Sequence, residues 1–329
     1  MASDQMGHPE PVLDDVRFRA LLEGAVVVRT TPGLFELRGA GAIDCLQGLL
    51  TNDVVKPGEH SLVYGALLTP KGMIVSDLWA LRGTADFTLI LPPVGHAAAA
   101  QIFQRTLPPR VVRATDRSGE FAMLTIAGPR GEPALIASGL LATPLPAGRV
   151  LESAGLLIAR GAPGAPFDAI LAGPVAAIAV AEERLGALLL RGTDEDLLAA
   201  RVIAGWPALG AEIDEKTLPQ EVRYDEIGGV SYTKGCYTGQ ETVARVHFRG
   251  HPNRELRGLV WEAASPLGDR TIQHLGREVG TVRSTVRLDG LRVGLAPIRR
   301  EVALGETVTA GGLVARIVAL PFAPADLEL

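Results

Sequence analysis

Hydrophobic residues of this 329-residue chain follow two periods, and the change between them falls near residue 250. Up to that point, apolar runs of strand length alternate with longer segments in which apolar residues recur every three or four positions, as in helices. The order strand, helix, strand, strand, helix occurs twice, which favours two related α+β layers over a doubly wound parallel sheet. Strands are predicted at 25–29, 34–38, 64–68, 73–81, 86–91, 121–126, 156–160 and 169–171. Helices are predicted at 41–50, 95–107, 129–138, 173–189 and from Thr193 onward.

After residue 250 the helical period disappears. Short apolar runs separated by Gly, Asp and Pro predict a small all-β barrel or sandwich, with strands at 256–261, 278–286, 291–296 and 314–318. We therefore divide the chain into a mobile tail (1–15), an α+β region (16–250) and a C-terminal β domain (251–329).

Composition predicts a cytoplasmic protein with no membrane contact. Hydrophobic residues make up 47% and charged residues 21% of the chain, a balance typical of globular proteins. The most apolar run, 170–181, is interrupted by Gly173 and Pro174 and is shorter than the roughly 20 residues that cross a bilayer. The first fifteen residues contain acids but no Lys or Arg, unlike secretory or mitochondrial targeting segments.

Charge and cysteine content restrict the chemistry further. The net charge of −5 provides no overall field for a nucleic-acid backbone, so we expect no direct nucleic-acid partner. Two cysteines cannot form a four-cysteine metal or cluster site, so another molecule would have to supply ligands. Cys45 lies on the apolar face of a predicted helix beside Leu46 and Leu49, which indicates a structural role.

The densest motif is Lys-Gly-Cys-Tyr-Thr-Gly-Gln-Glu at 234–241. Gly235 and Gly239 are expected to shape the loop, because glycine permits sharp turns and close backbone approach. Lys234 is expected to favour the thiolate of Cys236, since a nearby cation lowers a cysteine pKa. The alternative is a small buried cysteine, which is how most free cysteines behave.

Other familiar sites find little support. His247 and His251 are four residues apart, but Gly250 and Pro252 argue against the helix that would align them on a metal, so we predict no metal site. The Gly-Ala-Gly at 39–41 lacks the third glycine of a dinucleotide-binding loop.

The motif at 234–241 resembles the signature of the YgfZ family, a branch of the aminomethyltransferase superfamily. Further segments resemble the same family or superfamily at 49–54, 70–73, 204–207, 218–221 and 227–231. The resemblance implies an α+β fold of two ferredoxin-like halves that form a folate-binding channel, plus a C-terminal small antiparallel β-barrel. It also implies a tetrahydrofolate-linked role in the assembly or repair of iron–sulphur enzymes, which support tRNA modification. The implied partners are iron–sulphur assembly proteins or these client enzymes.

Candidate site residues follow from the motif and the resemblance. Cys236 is the predicted chemical centre, with its thiol exposed at the mouth of the channel and Lys234 beside it. Folate or channel contacts are assigned to Asn52, Asp53, Glu221, Tyr237, Gln240, Glu241, Arg245 and Arg254. Three of these assignments carry alternatives: a capping carboxylate at Glu221, a helix-terminating turn at residues 52–53, and an exposed charge at Arg254, which otherwise meets the glutamate tail of folate.

Two departures from the aminomethyltransferases bear on activity. Ser76-Asp77 stands where the transferase has an Asp-Asp pair, and Ile203 stands where it has a Glu that is a candidate pterin ligand. Both argue against aminomethyl transfer and, for Ile203, against strong folate binding. Three hypotheses result: a folate-dependent accessory protein for iron–sulphur clusters, a folate-dependent aminomethyl or methyl transferase, and a non-enzymatic interaction scaffold.

Overall fold

The computed structural model describes residues 10–262, 265–288 and 290–327, which form three β-sheets with helices packed outside them. The helices are α1 Asp15–Leu22, α2 Ala42–Leu49, α3 Pro93–Thr106, α4 Gly131–Ala137, α5 Val175–Gly186, α6 Asp194–Ile203 and α7 Gln240–Arg249, with short 3-10 turns at Pro219–Val222 and Pro324–Asp326. The strands are β1 Val26–Thr30, β2 Gly33–Arg38, β3 Leu62–Leu68, β4 Ile74–Arg82, β5 Phe87–Leu91, β6 Arg113–Asp116, β7 Phe121–Ala127, β8 Val150–Ser153, β9 Leu156–Arg160, β10 Ala169–Pro174, β11 Leu190–Arg191, β12 Arg254–Trp261, β13 Thr271–His274, β14 Arg277–Thr281, β15 Ser284–Leu288, β16 Leu291–Arg299, β17 Thr307–Ala310 and β18 Leu313–Val318.

Two sheets form the α+β region and exchange strands. The first has the order β3-β4-β5-β2-β6, and the second has the order β11-β1-β7-β10-β9-β8. Neighbours are antiparallel except β1 and β11, which run parallel. Because consecutive strands β1 and β2 lie in different sheets, the two halves are interleaved. The predicted pair of α+β layers is confirmed.

Many strands in these sheets are covered on both faces. Helices α2 and α3 cover the first sheet, where Leu46 and Phe103 pack against Leu37 and Leu89. Helices α4 and α5 cover the second sheet, and the opposite faces of the two sheets share a further apolar cluster that includes Ile170. Two-sided burial explains why the sequence there shows continuous apolar runs instead of alternation.

The C-terminal domain is a closed barrel of six antiparallel strands, in the order β12-β18-β17-β13-β14-β16, and β12 pairs with β16 to close it. Strand β15 is added at the outer side of β16. Trp261, Ile298 and Ile317 belong to the cluster that packs together within it. The predicted small antiparallel barrel is confirmed, although the strand expected at 278–286 is two strands, interrupted where the Val282 N–H donates to the Arg270 carbonyl (2.7 Å).

The N-terminal segment predicted as a mobile tail lies partly outside the described residues. From residue 10 onward the chain packs on the barrel: Leu13 is buried, its N–H donates to the Arg287 carbonyl (2.9 Å), and Glu10 pairs with Arg292 (2.6 Å). Residues 10–15 are therefore held in place by these contacts. Across the described ranges, no helix is long and apolar enough to cross a membrane.

Candidate functional site

A cavity of about 710 Å³ lies where the two interleaved sheets meet the segment that follows α6. Its volume falls within the range of pockets that hold small molecules and cofactors. The apolar part of its lining includes Trp79, Leu91, Met123, Phe167, Ile170 and Trp206. The polar part includes Arg29, Asp77 and Arg201, so this central cavity combines a large apolar surface with a few charged groups.

Aromatic rings form one wall of the central cavity. Trp79 and Trp206 are stacked, with ring centroids 5.5 Å apart and an interplanar angle of 19°. Phe167 meets Trp79 edge-on at 4.9 Å, and Tyr64 packs against both tryptophans at 4.8 Å from behind. Such a wall suits a flat aromatic ligand, because aromatic rings associate favourably by stacked or edge-to-face contact.

Asp77 is the buried carboxyl of the cavity and projects from β4. The Tyr64 hydroxyl donates to its Oδ2 (2.9 Å) and lies 3.0 Å from the Tyr224 hydroxyl. Its Oδ1 is buried and has no hydrogen-bond partner among the described residues. Burial raises the pKa of Asp77, outweighing the hydrogen bond from Tyr64 and the positive charge of Arg201. An unused acceptor in an apolar pocket gains most from a ligand N–H, since an unsatisfied buried oxygen is costly.

Two arginines border the cavity and differ in their freedom. Arg201 is committed to the protein: its guanidinium donates to the Trp206 carbonyl and to Glu212 (both 2.8 Å) and to the Ser284 hydroxyl of the barrel (2.6 Å). Arg29 is more exposed, and among the described residues its salt bridge is to Glu182 (3.0 Å). Arg29 is therefore the better placed cation for a ligand carboxylate.

The cysteine loop, residues 231–239, lies on the C-terminal end of α2 instead of in the cavity. Thr238 N–H donates to the Gly48 carbonyl (3.1 Å), and Ser231 N–H donates to the Thr51 carbonyl (3.0 Å). Cys236 is exposed, as a reactive thiol requires, but it is not among the described residues that line the central cavity. The expectation that the thiol lies at the channel mouth thus receives no support from the cavity lining.

Lys234 bonds to the end of α2 and not to the Cys236 thiol that the sequence predicted as its partner. Its buried ammonium donates to the carbonyl oxygens of Gln47 (2.6 Å), Leu50 (2.7 Å) and Asn52 (2.9 Å). These groups terminate α2, where backbone carbonyls lack helical partners and a cation is stabilised by the helix dipole. Burial lowers the pKa of Lys234 to about 8, although the charge of Asp53 acts in the opposite direction. In the part of the chain that the structure describes, Lys234 forms no hydrogen bond with Cys236, and its bonds to α2 anchor the loop.

The two glycines of the motif differ. Gly239 has a φ of +82°, and a Cβ added there would lie 2.6 Å from the Thr69 carbonyl oxygen, so this position requires glycine. Gly235 has an ordinary φ, and an added Cβ would meet nothing within 4 Å. The loop-shaping role predicted for Gly235 is therefore not required by the backbone.

The remaining predicted site residues of the motif and of α7 lie outside the lining of the cavity. Tyr237 is buried beside Val243, and burial together with the charge of Asp225 raises its pKa to about 12. Gln240 begins α7, while Glu241 and Arg245 are exposed on that helix. None of these predicted channel residues belongs to the cavity lining, and Val243 of α7 packs in the same apolar cluster as Tyr64 and Trp206.

Asn52 and Asp53 hold the turn after α2, as the alternative interpretation proposed. The Asn52 side-chain amide donates to the carbonyls of Tyr64 (2.9 Å) and Gly228 (2.7 Å). Asp53 Oδ1 accepts from the N–H groups of Val55 (2.8 Å) and Lys56 (3.0 Å). Partial burial raises the pKa of Asp53, but these hydrogen bonds together lower it overall.

Glu221 and Arg254 line a separate cleft of about 260 Å³ between the 3-10 turn at Pro219–Val222 and the barrel. Glu221 Oε2 accepts from the Leu218 N–H (2.9 Å), which is the capping arrangement, and burial raises its pKa. Neither residue is part of the central cavity, so the predicted contacts to the pterin and to the glutamate tail are not supported by their positions.

Comparison with known proteins identifies the family. Residues 24–139 match the family model of the GCVT N-terminal domain. The tRNA-modifying protein YgfZ of Enterobacter sp. (strain 638) is 31% identical over 268 residues, which cover 79% of this chain and 80% of that protein. This chain belongs to the YgfZ family. The YgfZ of Escherichia coli O6:H1 is 30% identical over 266 residues, covering 78% and 79% of the two chains.

The YgfZ-family chain also shares its fold with a solved enzyme. The crystal structure of the glycine cleavage system aminomethyltransferase T from Bartonella henselae superposes with a TM-score of 0.81, covering 94% of this chain and 89% of that one at 19% identity. The architecture of two sheets and a barrel is therefore common to the YgfZ family and this transferase.

The two departures from the transferase pattern both lie outside the central cavity of this YgfZ-family chain. Ser76 faces α3, where a Cβ added at Gly95 would lie 2.2 Å from its Oγ, while the next residue, Asp77, lines the cavity. Ile203 packs against the apolar cluster shared with the barrel. Neither Ser76 nor Ile203 lines the central cavity, so their positions give no support to the predicted loss of aminomethyl transfer or of strong folate binding in this cavity.

Sequence reasoning missed the aromatic wall and Arg29. Trp206 lies in one of the segments that resemble the YgfZ family, and the chain has only three tryptophans, which was the available signal.

His247 stacks on Tyr232 (3.6 Å), and His251 lies beside Arg300 (3.2 Å). In the part of the chain that the structure describes, no group of three or more His, Cys, Asp or Glu residues could hold a metal.

Proposed function

We propose that this YgfZ-family protein binds tetrahydrofolate in the central cavity and acts as an accessory protein for iron–sulphur cluster assembly or repair, thereby supporting tRNA modification. The observation that carries the folate proposal is the unused Oδ1 of Asp77 beside the stacked Trp79 and Trp206. The name of the relatives, tRNA-modifying protein, supports the last step of the proposal.

The cavity residues fit the three parts of a folate. The pterin is planar and carries N–H donors, which match the tryptophan wall and the free oxygen of Asp77. The glutamate tail is anionic, and Arg29 lies at the cavity with an exposed guanidinium that suits a carboxylate. When bound, tetrahydrofolate supplies a carrier for one-carbon groups, and the protein residues hold and orient it.

The partner side of the proposal rests on the surface that carries Cys236. The thiol is exposed, and the following helix presents Arg245, Phe248 and Arg249 to solvent, with the Phe248 side chain 67% exposed. An exposed aromatic residue among arginines is typical of a protein contact surface. In this proposal the partner carries the cluster, and Cys236 is the ligand-type residue that this protein brings to it.

Calorimetric titration with tetrahydrofolate tests the folate site. We expect saturable heat with the wild-type protein, a strongly weakened response in Asp77→Asn, and an unchanged response in the matched control Glu221→Gln, whose carboxylate lies in the other cleft. Weakening by Glu221→Gln with no effect of Asp77→Asn would refute the proposed cavity. Absence of heat with a folded wild-type protein would favour the interaction scaffold.

Complementation tests the role of the thiol. In a deletion strain, Cys236→Ala is expected to lose rescue of iron–sulphur enzyme activity, and Cys45→Ala to retain it, because Cys45 is half-buried against the core of the first sheet. Full rescue by Cys236→Ala would remove the thiol from the proposal.

A folate-dependent aminomethyl or methyl transferase is the second candidate. Asp77 favours it, since the cavity retains an acid although Ser76 replaces the neighbouring one. Formation of methylenetetrahydrofolate from an aminomethyl donor at a rate that depends on Asp77 would place this activity first.

A further inference from the structure

Asn52 connects the central cavity to the cysteine loop. On the cavity side, Tyr64 packs behind Trp79 and Trp206 and donates to Asp77, and its backbone carbonyl accepts from the Asn52 side chain (2.9 Å). On the loop side, the Asn52 carbonyl accepts from the Lys234 ammonium (2.9 Å). Lys234 is two residues from Cys236.

A second set of bonds ties the same two segments together. The Thr51 hydroxyl donates to the Gly229 carbonyl (2.6 Å), and the Ser231 N–H donates to the Thr51 carbonyl (3.0 Å). Gly229 packs closely on the ring of Tyr224, since an added Cβ would lie 2.5 Å from it, and the Tyr224 hydroxyl lies 3.0 Å from that of Tyr64. The segment 229–231 is therefore held both by Thr51 and by the two tyrosines, Tyr64 and Tyr224, that lie beside Asp77.

Lys234 holds the cysteine loop through bonds that depend on the position of neighbouring backbone carbonyls. Its ammonium is surrounded by three carbonyl oxygens, by the carboxylate of Asp53 and by the ring of Tyr237, whose centroid is 5.0 Å away. A buried cation is stable there only while all of these carbonyls remain in place, because a desolvated charge that loses its partners is costly. Movement of the Leu50–Asn52 segment therefore releases the loop that carries the thiol.

We propose that Lys234 is a positioning residue that couples the central cavity to Cys236. A ligand packed on Trp79 and Trp206 restricts the motion of Tyr64 and Asn52. Because Lys234 is bonded to the Asn52 carbonyl, the cysteine loop becomes more ordered as well. This coupling rests on the proposed folate site. The exposure of the Cys236 thiol to a partner then depends on whether the cavity is occupied, because Tyr64, Asn52 and Lys234 become ordered together.

The test measures Cys236 directly in a Cys45→Ala background. A trifluoromethyl group attached to Cys236 reports the state of the loop by ¹⁹F NMR, and the alkylation rate of the unlabelled thiol reports its accessibility. With saturating tetrahydrofolate we expect one sharper, shifted resonance and alkylation slowed severalfold, because an ordered loop opens less often and exposes its thiol less. In Lys234→Met, calorimetry is expected to give an unchanged affinity for tetrahydrofolate, while both responses of Cys236 disappear.

Asn52→Ala breaks the connection on the cavity side and leaves the Lys234 side chain in place, so it keeps the test valid if Lys234→Met folds poorly. It is expected to bind tetrahydrofolate and to lose the response of Cys236. Glu241→Gln, on the exposed side of α7, is the control and should respond like the parent. Tetrahydrofolate that binds and changes Cys236 equally in the parent, Lys234→Met and Asn52→Ala overturns the coupling.

The ligand-free proteins separate this inference from the folate proposal. Without tetrahydrofolate, loss of the Lys234 anchor is expected to broaden the ¹⁹F resonance and accelerate alkylation. An unchanged resonance and rate in ligand-free Lys234→Met refute the positioning role, whatever binds in the cavity. Absence of tetrahydrofolate heat in the parent, with this ligand-free effect present, refutes the folate site and leaves Lys234 as the residue that positions Cys236.

Discussion

Asparagine in place of Asp77 is predicted to stabilise the protein while weakening its ligand. The carboxylate is buried with Oδ1 unpartnered, and the Tyr64 hydroxyl supplies one hydrogen bond that asparagine can still accept. Removing the charge from this position should raise the free energy of unfolding by on the order of 1 kcal/mol at pH values where Asp77 is ionised, because a neutral amide costs less to bury than a carboxylate even though its NH2 group also lacks a partner.

The same change should reduce tetrahydrofolate affinity about 10- to 100-fold. A hydrogen bond to an ionised carboxylate contributes about 1.5–3 kcal/mol, and each 1.4 kcal/mol corresponds to a factor of ten in Kd. The two effects have opposite signs because the group that destabilises the empty protein is the one that binds. Such a trade between stability and activity is expected for a residue that serves function.

The pH dependence gives a further constraint on Asp77. Its pKa is raised in the folded protein, so the native state binds more protons than the unfolded state between the unfolded pKa of about 3.9 and the folded value. Stability from this group is therefore lost as pH rises through that window. The advantage of Asp77→Asn over the wild type should be larger at pH 8 than at pH 5.

Urea unfolding at both pH values and calorimetric titration at pH 7 measure these effects, with an unchanged m-value as the check on a comparable unfolding reaction. Asp194→Asn is the matched control, since Asp194 lines the same cavity but is exposed at the start of α6. It should lose less than about 1 kcal/mol of stability. An Asp77→Asn protein that is less stable and binds tetrahydrofolate as tightly as the wild type would refute the reasoning.

Three further predictions concern the loop and the cavity. Gly239→Ala should lower the free energy of unfolding by more than about 1 kcal/mol, because Gly239 has a left-handed φ and lies close to the Thr69 carbonyl. Gly235→Ala should change the free energy of unfolding by less than about 0.5 kcal/mol. Urea unfolding compares the two variants, and equal losses would contradict the assigned backbone roles. The pKa of Lys234 is lowered to about 8 in the folded protein, so the unfolded state binds more protons between pH 8 and about 10. The stability of the wild type relative to Lys234→Met should therefore increase as pH rises through this range, by up to about 1.4 kcal/mol per pH unit. A difference in stability that stays constant with pH would show that Lys234 is not desolvated. Arg29→Gln should weaken tetrahydrofolate binding and abolish any preference for polyglutamated forms, and a retained preference in titration would assign the tail to another cation.

The sequence by itself determined the architecture and the family. Hydrophobic period separates the α+β region from the barrel, because a helix and a strand bury their apolar faces with different spacings. Thr193 marks the start of α6, where its N–H donates to Asp196 (2.7 Å), and the contiguous motif around Cys236 indicates the YgfZ family. Exposure of Cys236 and the turn role of Gly239 also agree with the local pattern of small and polar residues.

Only the tertiary structure decided which residues form the cavity and what Lys234 does. Trp79, Phe167 and Trp206 are far apart in the sequence and resemble ordinary core residues until the interleaved sheets bring them together. Ser76 and Asp77 lie on opposite faces of a strand that is covered on both sides, so alternation could not tell which of them faces the cavity. Lys234 binds backbone carbonyls, which every residue carries and which therefore leave no trace in a pattern of side chains.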